Sequence, residues 1–301
     1  MSLRVAYIPE HFSTPLFFAI QQKYFSFNIE LTPVIEGSGR LINLLNANEV
    51  DIAIGLTEAF VADIAKGNEP SYKLVDTYVE SPLCWAISTG FNRENLTSAS
   101  QLEGKTIGVS RIGSGSYVMS FVLAHDLKFQ KPFAGYPTLS NFKNLRDSVN
   151  LKYTEEPEKN SDAFMWEHFT SKKYYDNNEI KKIGEIYTPW PSWVINSNAQ
   201  LLESKPEMIK EFVAGLNKGI EYFNNNHEEA IEFISNNLDY SAEDAREWIK
   251  TVKFNKNVGK AALDWERVVT KTSKVLKLAG VLQDSDELIE KRLNEGIVRQ
   301  L

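Results

Sequence analysis

The stretch SRIGSGS, residues 110–116, sets one arginine, two glycines and three serines between an apolar strand-like run and an apolar helix-like run. Each of these residue types suits an anion. A helix opening near Ser114 to Ser116 presents unpaired backbone N–H groups and the positive end of its dipole. Gly113 and Gly115 let a ligand come close to the backbone, Ser110, Ser114 and Ser116 add hydroxyls, and Arg111 adds a forked cation. The dipole alone supplies roughly 0.3–1 kcal/mol at an exposed site, so Arg111 and exclusion of water must supply the rest. The plainer reading is a serine N-cap behind a glycine turn, but the stretch holds more small and cationic residues than a cap requires. It is neither a Walker loop nor GxGxxG, because the lysine and the third glycine are missing.

Four other polar joints carry candidate ligand contacts. EGSGR (36–40) repeats the device with Ser38 and Gly39 at a helix start. YIPEHFSTP supplies Glu10, His11 and Ser13, and the histidine can pair with either an acid or a base near neutral pH. GLTEA offers Thr57 and Glu58, as an N-cap and first-turn acid or as ligand contacts. SDAFMWEHF (161–169) runs an apolar strand pattern into Trp166, Glu167 and His168, and Trp190 and Trp193 lie further on. A tryptophan face can stack on a flat ring, although most tryptophans simply pack. Chemistry beyond binding has little support. The four histidines show no metal-ligand spacing, no GxSxG elbow is present, and no serine is marked as activated.

The elements that must position these joints repeat one unit: a short β-rich run, a polar or glycine joint, then a helical run. LRVAYIP, IELTPVIE, VDIAIGL and GKTIGVS each enter such a joint. Leu41, Leu44 and Leu45 have helical spacing, as do Phe60, Val61 and Ile64, with Gly67 suited to the following cap. Alternating strands and helices predict an α/β protein with a largely parallel sheet. Ligands in such sheets sit outside the carboxyl ends of the strands, and those ends are the joints.

ESPLCWAIST (80–89) and TPWPSWVINS (188–197) each place prolines and a tryptophan ahead of a β-like run, and read as two strands crossing between lobes. Residues 1–89 and 189–301 then form a discontinuous first lobe, with 90–188 inserted as the second. The C-terminal third is helical. Ser204 to Glu207 has a capping-box pattern before the stripe Ile209, Phe212, Val213, Leu216, Ile220 and Phe223, and Ser241 starts another helix.

At 301 residues the chain has room for two such lobes. A net charge of -7 argues against a nucleic-acid surface, and no run approaches the roughly 20 apolar residues of a membrane span. The first residues enter a strand pattern with no secretory stretch, so a cytoplasmic location is expected. The single cysteine, Cys84, makes no disulfide framework and is expected to be a buried thiol. No cofactor is called for, and the oligomeric state is open.

The segments VAYIPEHFSTPLFFAIQQKYF, GSGRLINLLNANEVDIAIGLTEAFVADIAKG and LEGKTIGVSRIGSGSYVM resemble the type II periplasmic-binding-protein fold. Within it they are similar to the branch of sulfonate and nitrate transporter receptors and yeast thiamine-pyrimidine synthases. SRIGSGSYVM and DAFMWEHF look most like soluble, intracellular members from yeasts and some bacteria. The resemblance implies two lobes with mixed sheets that enclose a ligand by hinge closure, touching it at Glu10 to Ser13, Ser38 to Gly39, Thr57 to Glu58, Arg111 to Ser116 and Trp166 to Glu167. The expectation is a sensor, carrier or solute receptor for a compact anion, whose other end is a ring or an amine near Trp166, His11 and Glu58. The alternative is an enzyme of thiamine-pyrimidine or related metabolism using the same cleft. That family's cysteine-rich motif is absent here, and no lysine stands out for a Schiff base.

Overall fold

A computed structural model describes residues 2–301. The chain begins with β1 (Ser2–Tyr7), α1 (Thr14–Gln21), β2 (Asn28–Pro33), α2 (Ser38–Asn46), β3 (Ile52–Leu56), α3 (Thr57–Lys66) and β4 (Tyr72–Val79). It continues through β5 (Cys84–Gly90), β6 (Ile107–Gly108), α4 (Gly115–Asp126), α5 (Phe142–Val149), β7 (Ala163–Glu167), α6 (His168–Asp176) and β8 (Ile180–Tyr187). After β9 (Trp193–Asn198) come α7 (Ala199–Ser204), α8 (Pro206–Asn225), α9 (His227–Asn237), α10 (Ala242–Ile249), α11 (Lys271–Leu278) and α12 (Asp286–Gly296).

β3 is apolar and buried along its whole length, as a central strand covered on both faces must be. The helices beside it bury the faces that their spacing predicts: Leu41, Leu44 and Leu45 on α2, and Phe60, Val61 and Ile64 on α3. Gly67 closes α3 in the left-handed conformation.

The strands form a five-stranded sheet of order β2-β1-β3-β9-β4 and a four-stranded sheet of order β6-β7-β5-β8. β1 runs parallel to β2 and β3, whereas β9 is antiparallel to both β3 and β4. The first sheet is therefore mixed, as the resemblance implied: β1, β2, β3 and β4 run one way and β9 the other. The cause is the return path: β9 comes back from the second sheet at the carboxyl end of β3, where Trp193 pairs with Leu56, and can only run the opposite way. In the second sheet β6 is parallel to β7, and β5 is antiparallel to β7 and β8.

Among the described residues, no strand crosses from one sheet to the other. The proline-bearing segments 80–83 and 188–192 are the connections, and the strands after them belong to different sheets. β5, assigned by sequence to the first lobe, lies in the second sheet because it pairs with β7 and β8. Proline lacks the N–H a ladder needs, so it marks where the ladder stops rather than a strand that spans both sheets.

The C-terminal helices cover the first sheet. α8 packs on α1 with its whole predicted stripe buried, while α11 and α12 cover α3. Ser241 caps α10 by accepting the Asp244 N–H at 3.0 Å. Ser204 does not cap α8: it ends α7, and its hydroxyl donates back to the Gln200 carbonyl. Cys84 is half-buried rather than enclosed, and burial still pushes its thiol up to about 12. One continuous apolar core runs through both sheets, with a smaller cluster around Phe164, Leu145 and Ile180.

Candidate functional site

Because β1, β2 and β3 are parallel, their carboxyl ends share one edge of the first sheet, and those of β6 and β7 share an edge of the second. These edges face each other across a cavity lined by Ile8, Ser38 and Leu56 on one side and by Ser110, Ser114 and Trp166 on the other. Its free volume is about 30 Å³, enough for a water or two. Ligand pockets measure roughly 300 Å³ and upward, so the two sheets are shut against each other in this conformation.

The glycine-serine joints are where they touch. Gly37, at φ 85°, turns the chain into α2, and the Ser38 hydroxyl accepts the Leu56 N–H at 2.9 Å. A Cβ on Gly39 would stand 3.3 Å from the Arg111 Cβ and 3.5 Å from the Ser114 backbone. Opposite, Ser114 caps α4 by accepting the Tyr117 N–H at 3.3 Å, and its Oγ lies 3.0 Å from that of Ser116. Gly115 is required by close approach, since a Cβ there would lie 2.6 Å from Leu56 Cδ1. Arg111 is half-buried between Ser110 and Ser114. It does not line the cavity, and its Nε is buried without a partner. Gly113 also lies off the cavity, at an open bend with φ 85°.

Two carboxyl groups complete the lining. Glu10 accepts the Trp166 indole N–H at 3.1 Å and is only 8% exposed. Burial, helped by the charge of nearby Glu167, pushes it up to about 8, with the indole pulling the other way. Glu167 ends β7 and caps α6, accepting the Thr170 N–H at 2.7 Å and its hydroxyl at 3.0 Å. Burial raises it too, but His11 and the Thr170 and Phe169 N–H groups outweigh that and hold it below the ordinary carboxylate range. One cavity thus contains an acid kept neutral beside one kept ionised.

His11, expected at the cleft, sits behind it. Its ring is fully buried between Tyr240 and Trp248, with centroids 4.4 and 4.2 Å away. Its Nε2 lies 3.4 Å from Glu167 Oε2, and its Nδ1 has no partner. The Ser13 hydroxyl is spent on the Glu10 carbonyl.

Thr57, Glu58 and Trp190 do come together, but behind the cavity wall. The Thr57 hydroxyl donates to the Pro191 carbonyl, and the Trp190 indole donates to Glu58 Oε2 at 3.0 Å. They tie the start of α3 to the connection between the sheets. Glu58 is fully buried with Oε1 unpartnered, and burial pushes it up to about 7.

The candidates that meet at the cavity are therefore Glu10, Ser38, Ser110, Ser114 to Ser116, Trp166 and Glu167. Sequence reasoning missed Trp85, Trp193, Leu56 and Leu83 in the same wall. The available signal was position: Trp85 and Trp193 stand just past the two proline segments, where the chain must pass between the sheets. Among the described residues, no group of three His, Cys, Asp or Glu is placed to hold a metal ion, and no helix is long and apolar enough to cross a membrane.

Comparison with known proteins places this architecture. A family model described as Ca3427-like PBP matches residues 85–186. The structure of the Candida albicans CA3427 gene product, described as defining a family with the generic periplasmic binding protein fold, is 63% identical, with a TM-score of 0.94. That match covers 100% of this chain and 97% of the Candida chain. The fold is also similar to an alkanesulfonate-binding protein from Xanthomonas axonopodis pv. citri, solved bound to MOPS, at 13% identity and TM-score 0.73 over 99% of this chain and 98% of that one. The periplasmic nitrate-binding protein of Synechocystis PCC 6803 matches at 14% identity and TM-score 0.72 over 99% of this chain and 86% of that one. No curated protein matches the chain.

Proposed function

Since the chain belongs to the Ca3427-like family of proteins with the periplasmic-binding-protein fold, we propose that it is a small-molecule-binding protein that encloses a compact anionic ligand between two lobes. One lobe is built on the first sheet and the C-terminal helices, the other on residues 84–187, with the connections 80–83 and 188–192 as the hinge. The anionic group sits against the starts of α2 and α4, where Ser38, Ser114 and Ser116 offer hydroxyls and Arg111 offers its charge. The observation that carries this is the meeting of two helix N-termini from different sheets over buried serines and an arginine whose Nε has no partner. Both macrodipoles favour negative charge at that point. An alkanesulfonate and nitrate are what the Xanthomonas and Synechocystis proteins are named for binding, and small oxyanions are the class proposed here. A cytoplasmic setting is part of the proposal.

Native mass spectrometry of the protein purified from its own cells tests this. The expected result is one small anionic compound per chain, released on denaturation. A protein without such a compound, whose melting temperature no small anion raises, contradicts the reading.

A second reading, catalysis in the same cleft, draws on Glu10 and Glu167. Neighbouring carboxyls held in opposite protonation states are the arrangement that proton transfer uses. It predicts that a bound compound is recovered chemically altered.

A further inference from the structure

We infer that the ligand presents a protonated nitrogen to Glu10 and Glu167, so that the compound enclosed is a small zwitterion. Its anionic half rests on the reading above; its cationic half stands on separate observations. Glu10 and Glu167 line the same cavity, and each is more than nine-tenths buried. Glu10 receives a single side-chain hydrogen bond, from Trp166 to Oε1, and among the described residues no donor reaches Oε2. Once ionised, Glu10 has about four acceptor sites, and the Trp166 indole fills one of them.

Among the described residues, no lysine or arginine lines the cavity. The groups facing Glu10 are Glu167 on β7, Tyr240 ahead of α10, the Trp166 indole and its own neighbour His11, which turns to Glu167. Trp85, Trp166 and Trp193 line the same cavity. A neutral ligand would leave Glu10 as costly to ionise as burial makes it, whereas a cation beside it repays the cost of the charge. With no positive side chain against it, Glu10 is pushed up to about 8. Binding a protonated nitrogen at pH 7 therefore expels a proton from Glu10.

Calorimetry with three matched probes at pH 7 tests this: propanesulfonate, 3-aminopropanesulfonate and propylammonium. The aminosulfonate is expected to bind at least about tenfold more tightly than propanesulfonate. It should also release close to one proton, read from the dependence of the heat on the buffer's ionisation enthalpy. Glu10→Gln keeps the acceptor for Trp166 and should abolish both the preference and the proton release, with its melting curve as the check on folding. The proton count in the unaltered protein needs no variant, so it stands even if Glu10→Gln folds poorly. Propanesulfonate binding as tightly as the aminosulfonate overturns the inference, as does a preference that survives Glu10→Gln. Binding of propylammonium that depends on Glu10, without binding of propanesulfonate, supports the nitrogen site and refutes the anion site. Binding of none of the three refutes both.

Discussion

Glu58 offers a test of the buried architecture around the cleft through the pH dependence of stability. Its side chain is fully enclosed at the start of α3, with the Trp190 indole on Oε2 and nothing on Oε1. Burial pushes it from 4.5 to about 7, with its own backbone N–H and the Trp190 and Trp85 indoles pulling partly back. In the unfolded chain the carboxyl ionises near 4.5, whereas in the folded protein it stays protonated to about 7. The folded state therefore holds more protons over that window, and stability falls as pH rises through it, levelling above 7. At about 1.4 kcal/mol per pH unit, the loss amounts to about 3 kcal/mol.

Glu58→Gln cannot titrate and keeps an acceptor for Trp190. Urea unfolding of both proteins at pH 4.5 and pH 8 isolates the effect, because packing changes independent of pH cancel on subtraction. The variant should gain about 3 kcal/mol on the unaltered protein between the two pH values. Parallel stabilities, or a gain below about 1 kcal/mol, would refute the placement of a neutral carboxyl behind the cavity wall.

Other substitutions probe the contacts between the sheets. Gly115→Ala puts a methyl group 2.6 Å from Leu56 Cδ1. Overpacking of that kind costs about 1–3 kcal/mol in the shut form, so the radius of gyration from solution scattering should rise and ligand affinity fall; unchanged scattering would show that the joints do not meet. Trp166→Phe removes the donor to Glu10 and should lower stability by about 1–3 kcal/mol in urea, whereas full stability would mean that Glu10 finds another donor. Thr57→Val loses the bond to the Pro191 carbonyl and should cost about 1 kcal/mol of stability with ligand affinity unchanged. A larger loss of affinity than of stability would put Thr57 back on the ligand.

The joints were legible because their cause is local. A strand end followed by glycine, serine and a helical stripe writes itself into a few consecutive residues, and Ser38, Ser114 and Glu167 all stand where that pattern puts them. The faces of the partners were not legible. His11 looked free because nothing nearby announces that Tyr240 and Trp248, more than two hundred residues on, close over both faces of its ring. Thr57 and Trp190 are good ligand-contact types, yet each is consumed by a partner more than a hundred residues distant. The reversed direction of β9 depends on a return path that no local periodicity records, and only the resemblance pointed to a mixed sheet. Trp85 and Trp193 were visible as tryptophans but were read as part of a crossing strand, which concealed that they line the cavity.

Affinity for propanesulfonate, measured by calorimetry in the unaltered protein and in Arg111→Ala, tests the central claim most directly. A charge-assisted contact is worth about 1.5–3 kcal/mol, so the variant should bind roughly ten- to a hundredfold more weakly while its ligand-free melting temperature barely moves. Binding that stays within about twofold would contradict an anion held by Arg111 at the meeting of α2 and α4.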